Sequence, residues 1–335
     1  MRVLLTIVTV LILSTSGLSQ DVHFSQFFAT PLFTNPAFTG HFDGTYRFSG
    51  MIRRQWQSVS PEPFQTHGGG IDLRDAAKIK GLGIGLSLLQ DFAGLSSTTF
   101  NQAELSLASH IRIGSAKRGG IHLGGTVGYF TSSNDISRLS WNNQFNGTQH
   151  DPTLPSGEIQ GNQVNKLNYS GGIYVDQVAN ERHRFGVGLA IQNIAEPDIS
   201  MFKASENKMF RLYSAHVLSS FPIGATWDIM PAGRAMIQGP YDQYIIGTAF
   251  RHHLVDSEIS KQSFQFGFWG RWKDAGYVSA GLQMEDLYVG ASYDVNLSSL
   301  QPATNYRGAW EVTLIYIIRT VREKSKRLRV CPDYL

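Results

Sequence analysis

The sequence has a single cysteine, Cys331, so no disulfide can form within the chain. Charge is scarce too. Asp, Glu, Lys and Arg make up 16% of the 335 residues, against about 25% in an ordinary globular domain. The formal net charge of +3 is scattered, which excludes the concentrated basic face that nucleic acid requires. After residue 19 no apolar run approaches the ~20 residues of a spanning helix, and no stretch has clear helical amphipathicity. Catalytic signatures are missing as well. Gly85-Leu86-Ser87 runs on into Leu88 and Leu89, so there is no strand-to-helix elbow to hold a nucleophile. Gly81, Gly83 and Gly85 alternate strictly with other residues and lack the helix that a phosphate cradle needs. The ten histidines show no ligand spacing. His252 and His253 would point to opposite sides of a strand, and His110 and His122 read as lumen-facing polar residues. These absences predict a chain with no enzymatic activity, no cofactor and no metal.

What the sequence has is period-two alternation. Leu82, Ile84, Leu86 and Leu88 alternate with Gly83, Gly85 and Ser87. Ile121, Leu123, Val127 and Tyr129 alternate with His122, Gly124, Thr126 and Gly128, and Phe185, Val187, Leu189 and Ile191 with Arg184, Gly186, Gly188 and Gln192. Segments of roughly ten residues with one apolar and one small or polar face are the mark of strands that cross a membrane. Such segments begin near Thr45, Gln65, Gly81, Thr99, Gly120, Lys166, Arg184, Met209, Ala225, Gln243, Ser263, Gly276, Leu287 and Gly308. The fold class expected is all-β, a transmembrane antiparallel β-barrel of about 14 strands in the outer membrane. It would span residues 44–319. Pro222 and Pro231 interrupt the segments near Met209 and Ala225, which are the weakest.

With the amino terminus in the periplasm, odd-numbered connections face the outside and should be long. Residues 132–165, 194–208 and 297–306 fit; residues 253–262 break the trend. Trp56, Trp227, Trp269, Trp272 and Trp310 read as interfacial girdle residues.

The two ends differ from the barrel. Residues 1–19 have the charge, apolar run and small residues of an export signal, with Gln20 the expected first mature residue. In residues 20–43, Pro31 and Pro36 exclude a central strand. Phe24, Phe27, Phe28, Phe33 and Phe38 should pack the segment against something. It is expected as a plug-like segment at the periplasmic mouth, either a structural cap or a partner-docking element. Residues 320–335 form a basic periplasmic tail, either a solvated stop drawn to anionic lipid of the outer membrane or a docking peptide.

Three stretches carry a resemblance. They are His23-Phe-Ser-Gln-Phe27 with Pro31 and Asn35-Pro-Ala-Phe-Thr-Gly40, then Tyr46-Arg-Phe-Ser with Arg53-Arg-Gln-Trp56, and near the end Gly308-Ala-Trp-Glu-Val-Thr-Leu-Ile-Tyr316. Together they closely resemble the PorP/SprF family, outer-membrane proteins tied to type IX secretion and gliding motility in the Bacteroidetes. Val22 and Trp310 depart from the family's usual residues. The resemblance implies a non-enzymatic barrel that assists secretion or anchors a partner adhesin. Its implied partners are a secreted surface protein with a type IX sorting domain and periplasmic type IX components. Candidate partner-docking residues are Phe24, Gln26, Phe27, Pro31, Asn35 and Pro36 at the front, and Arg322, Lys326, Arg327 and Cys331 in the tail. The alternative is an outer-membrane transport channel, either a porin or a hydrophobic-substrate transporter. Arg47 and Arg53 are expected to pair with lumen carboxylates.

Overall fold

Alternation of apolar and polar residues gives every strand one face for lipid and one for the lumen, and closure of the sheet leaves no unpaired edge in the hydrocarbon. A computed structural model describes residues 23–319 except 95–96, 115–118, 136–138, 156–162, 181, 202–206, 257–260 and 300. The expected export signal, residues 1–19, and the expected basic periplasmic tail, residues 320–335, lie outside the described residues. Among the described residues, fourteen antiparallel strands form one closed barrel. They are β1 (Tyr46–Gln55), β2 (Phe64–Leu73), β3 (Leu82–Ala93), β4 (Thr98–Ile113), β5 (Gly119–Ser133), β6 (Gln163–Val178) and β7 (Arg184–Gln192). The second half comprises β8 (Leu212–Ile223), β9 (Trp227–Gln238), β10 (Tyr241–Asp256), β11 (Lys261–Arg271), β12 (Ala275–Met284), β13 (Leu287–Asn296) and β14 (Arg307–Ile318). Each strand pairs with its neighbours in sequence, and β14 closes the barrel on β1 from Tyr46↔Ile318 to Arg54↔Trp310. No described helix is long and apolar enough to cross a membrane. All fourteen expected strands are present, each starting within three residues of its expected position.

The faces sort as lipid and lumen demand. Leu86, Leu88, Leu105, Leu107, Leu123, Val127, Leu167, Val187 and Leu189 are exposed on the outside. Ser87, Ser106, Thr126, Asn168, Ser214 and Arg234 are buried on the inside. Long connections gather at one mouth, with residues 134–162 after β5 and 193–211 after β7, while the opposite mouth carries the short turns at 224–226 and 285–286.

Three sequence expectations change. Residues 253–262 are mostly strand: β10 and β11 pair on to Asp256↔Lys261, and a register shift between His253 and Val255 hides the alternation there. The prolines do not end their strands. Pro231 pairs with Thr248, and the β8–β9 ladder keeps its register between Leu218↔Ala232 and Phe221↔Ile229. The Ser219 hydroxyl donates to the Pro231 carbonyl inside that interval. Trp269 is no girdle residue. It is buried in the lumen, stacked on Phe28 at 4.9 Å and on Tyr277 at 6.0 Å, and its indole N–H donates to Ser279 at 2.9 Å.

Candidate functional site

Residues 24–40 lie inside the barrel, where the sequence led us to expect a segment at one mouth. The prolines set the local shape. Pro31 and Pro36 each open a short helical turn, Pro31–Thr34 and Pro36–Phe38, where a missing N–H is no loss. The Thr34 hydroxyl lies 2.8 Å from the Phe27 carbonyl and 2.9 Å from the Thr30 carbonyl, with one proton to share between them. Asn35 caps the second turn by accepting from the Ala37 N–H at 2.9 Å. Its amide nitrogen reaches the wall, donating to the carbonyls of Ile173 at 3.1 Å and Leu189 at 3.2 Å. These bonds satisfy the Thr34 hydroxyl and the Asn35 amide, while the buried Gln26 Oε1 and Thr39 Oγ1 lack a hydrogen-bond partner among the described residues.

Its aromatic residues point to different sectors of the wall. Phe24 packs with Met51 and Leu89, Phe27 with Leu212, Met236, Ile245, Trp269 and Tyr277, and Phe38 with Tyr174. Phe24 and Phe27 are 2% and 1% exposed. Gln26, Asn35 and Pro36 are buried too, while Pro31 is half-buried. Five of the six front docking candidates are therefore buried within the barrel, and the phenylalanines pack against its wall as the sequence suggested. Arg322, Lys326, Arg327 and Cys331 lie outside the described residues.

Two polar latches hold the ends. Near the long-connection mouth, Glu311 accepts from the backbone N–H groups of Ser25 at 2.8 Å and Gln26 at 2.9 Å. The Ser25 hydroxyl accepts from Arg53 at 2.6 Å and Arg271 at 2.7 Å and donates to Asp294 at 3.0 Å, which uses its full bonding capacity. Tyr277 donates to the Ser25 carbonyl at 2.8 Å. Arg53 pairs with Asp294 and Glu311, and Arg271 with Asp294. Near the short-turn mouth, Arg47 forks onto Asp72 at 2.9 and 2.7 Å and donates to the Phe38 carbonyl at 2.9 Å. Asp72 also accepts from the Gly40 N–H at 2.7 Å. Arg47 and Arg53 both have the carboxylate partners that the sequence suggested.

Glycines make the fit. Gly40 adopts a φ of +74° and touches the wall at Gly83, where an added Cβ would collide with the Thr39 carbonyl. Gly124 lies as closely against the Pro36 carbonyl. Gly83 is therefore a lumen-facing strand glycine, as expected, and the segment is what requires it.

The segment divides the lumen. A cavity of about 580 Å³ opens beside His23, Arg53, Trp56, Arg271 and Asp274 at the long-connection end. Another of about 550 Å³, bordered by Phe28, Phe38, Trp269 and Arg251, opens at the other end. Sequence reasoning also missed a cluster at that second end. His41, His110 and His122 each bring a ring nitrogen within 4.8 Å of the others. Linear spacing could not show it, since the β4–β5 register sets His110 opposite His122 and the segment supplies His41.

Residues 16–316 match the family described as "Type IX secretion system membrane protein PorP/SprF". No curated protein matches the sequence. Among solved structures, the Pseudomonas putida toluene transporter TodX aligns with a TM-score of 0.50 at 9% identity, over 89% of this chain and 94% of that one. The CymD monoaromatic hydrocarbon channel aligns at 0.49 and 8% identity, over 87% and 93%. At 9% identity the likeness to TodX is one of fold: this chain is built as that outer-membrane barrel is.

Proposed function

The chain belongs to the PorP/SprF family of type IX secretion membrane proteins, and we propose that it is a non-catalytic, plugged outer-membrane barrel that assists secretion or anchors a secreted adhesin. The observation that carries this is the lumen segment, latched by buried charges at both ends and packed by aromatic residues against the wall between them. A barrel filled in this way serves as a rigid platform, and its contacts with partners are made by loops. The long connections 134–162 and 193–211 suit a surface protein carrying a type IX sorting domain, because loops can vary without disturbing the ladder. The short-turn mouth and the tail residues Arg322, Lys326, Arg327 and Cys331 would then face periplasmic type IX components.

The competing reading is a transport channel. The two cavities favour it, since a shift of the segment would join them. Reconstitution of the purified barrel in a planar bilayer separates the two. The platform reading expects an electrically silent protein that copurifies with a surface protein from detergent extracts. Steady single-channel conductance, with unchanged surface display of secreted proteins in a deletion strain, would overturn it.

A further inference from the structure

We propose that His41, His110 and His122 form a binding site for a divalent transition metal, Zn²⁺ by its donor chemistry, which pins the lumen segment to the wall at the short-turn mouth. The Nε2 of His110 lies 2.8 Å from the Thr39 carbonyl, which can only accept, so that nitrogen carries a hydrogen. The Nε2 of His122 lies 3.2 Å from the Asp176 carboxylate and carries a hydrogen for the same reason. In neutral rings both Nδ1 atoms are then bare lone pairs. Yet these two atoms face each other at 2.8 Å. Two lone pairs repel at that distance unless a cation lies between or beside them.

The cation is a metal by the rest of the geometry. A ring nitrogen of His41 completes a set of three within 4.8 Å. Tetrahedral zinc holds nitrogen ligands at about 2.0–2.1 Å, which places neighbouring ligand nitrogens roughly 3.3 Å apart. The His110–His122 pair reaches that spacing with a small ring rotation. Metal-bound histidines characteristically donate their other N–H to a carboxylate or a backbone carbonyl, which fixes the tautomer. Asp176 and the Thr39 carbonyl stand in those places, and Asp176 also faces His41 Nε2 at 3.4 Å. Three imidazoles with an open fourth position suit a borderline metal better than the hard cations Ca²⁺ or Mg²⁺. The His41 side chain is 30% exposed, which gives the ion an entry path from the mouth. One bound ion would join residue 41 of the segment to β4 and β5, a third latch beside Arg47–Asp72. This inference does not depend on the anchoring role.

The full-length protein, folded in detergent and stripped with a chelator, is titrated with Co²⁺ and then Zn²⁺. We expect the visible bands of four-coordinate Co²⁺ to rise to one equivalent and to vanish as Zn²⁺ displaces it. His122→Ala and His41→Ala should abolish the signal. Asp176→Asn, which removes a positioning carboxylate, should weaken binding by about 10–100-fold. His253→Ala, at the same mouth but paired with Asp228, should leave binding intact. A colourless titration of the folded parent protein, with no Zn²⁺ bound on elemental analysis, overturns the site and leaves a shared proton between the rings. Binding that survives His41→Ala and His122→Ala overturns it equally.

Discussion

Replacing Glu311 with Ala should free the amino-terminal end of the segment while sparing the barrel. Glu311 is 1% exposed, accepts from the N–H groups of Ser25 and Gln26, and pairs with Arg53. Its removal leaves two buried donors without an acceptor, at ~1–3 kcal/mol each, and breaks a buried ion pair, for which ~3–5 kcal/mol is usual. These sums overlap, because all three partners belong to one network. Arg53 also keeps Asp294 at 3.0 Å, and Arg271 keeps both Asp294 and Asp274, so no arginine is orphaned. The lower end, about 3 kcal/mol, is therefore the figure to expect. At 1.4 kcal/mol per decade that is roughly a hundredfold rise in the undocked population. The ladder is untouched, since β14 bonds to β1 and β13 through its backbone. Hydrogen exchange of the folded protein in detergent reads the effect directly. The Ser25 and Gln26 amides should exchange about a hundredfold faster, by the same conversion, while amides of β4 and β5 stay protected. Equal protection of Ser25 in variant and parent would refute the latch, and loss of heat-modifiable folding would show that Glu311 is needed to build the barrel.

Other outcomes follow from the same contacts. Gly83→Val should push the Thr39–Gly40 backbone off the wall at about 1–3 kcal/mol, and limited proteolysis should then cut within residues 23–43 while the barrel resists. Trp269→Ala removes the surface on which Phe27, Phe28 and Tyr277 pack, so it should lower stability by about 3–5 kcal/mol and introduce transient openings in bilayer recordings. A tag at Gly147, in the connection after β5, should be labelled on intact cells and one at Gly224, in the turn after β8, should not. The reverse pattern would invert the topology.

The barrel was legible because lipid and lumen impose opposite chemistry on alternate residues. Leu123 and Val127 against His122 and Thr126 announce a strand without any tertiary knowledge. The same code fails where geometry breaks the period. The shift between His253 and Val255 turns both Leu254 and Val255 outward, which reads as a loop in sequence. Trp269 misleads for a related reason: tryptophan suits a membrane interface and a packed lumen equally, and only Phe27 and Phe28 beside it decide between them.

The front segment's chemistry was legible, and its position was not. Two prolines and six phenylalanines require an ordered, packed, non-sheet element, but a cap at the mouth and an occupant of the lumen satisfy that requirement alike. Charge does not discriminate, since Arg53 and Arg271 are balanced by Asp294 and Glu311 whether or not Ser25 sits among them. Space does. A lumen wall normally carries side chains, and at Gly83, Gly124 and Gly172 this one leaves room where Thr39, Pro36 and Asn35 come to rest. Small residues on the inward face of β3, β5 and β6, next to a segment that cannot join the sheet, are thus receptacle and occupant in one sequence. The histidine cluster follows from that placement. His110 and His122 are opposed by strand register alone, but only an occupied lumen brings His41 to them.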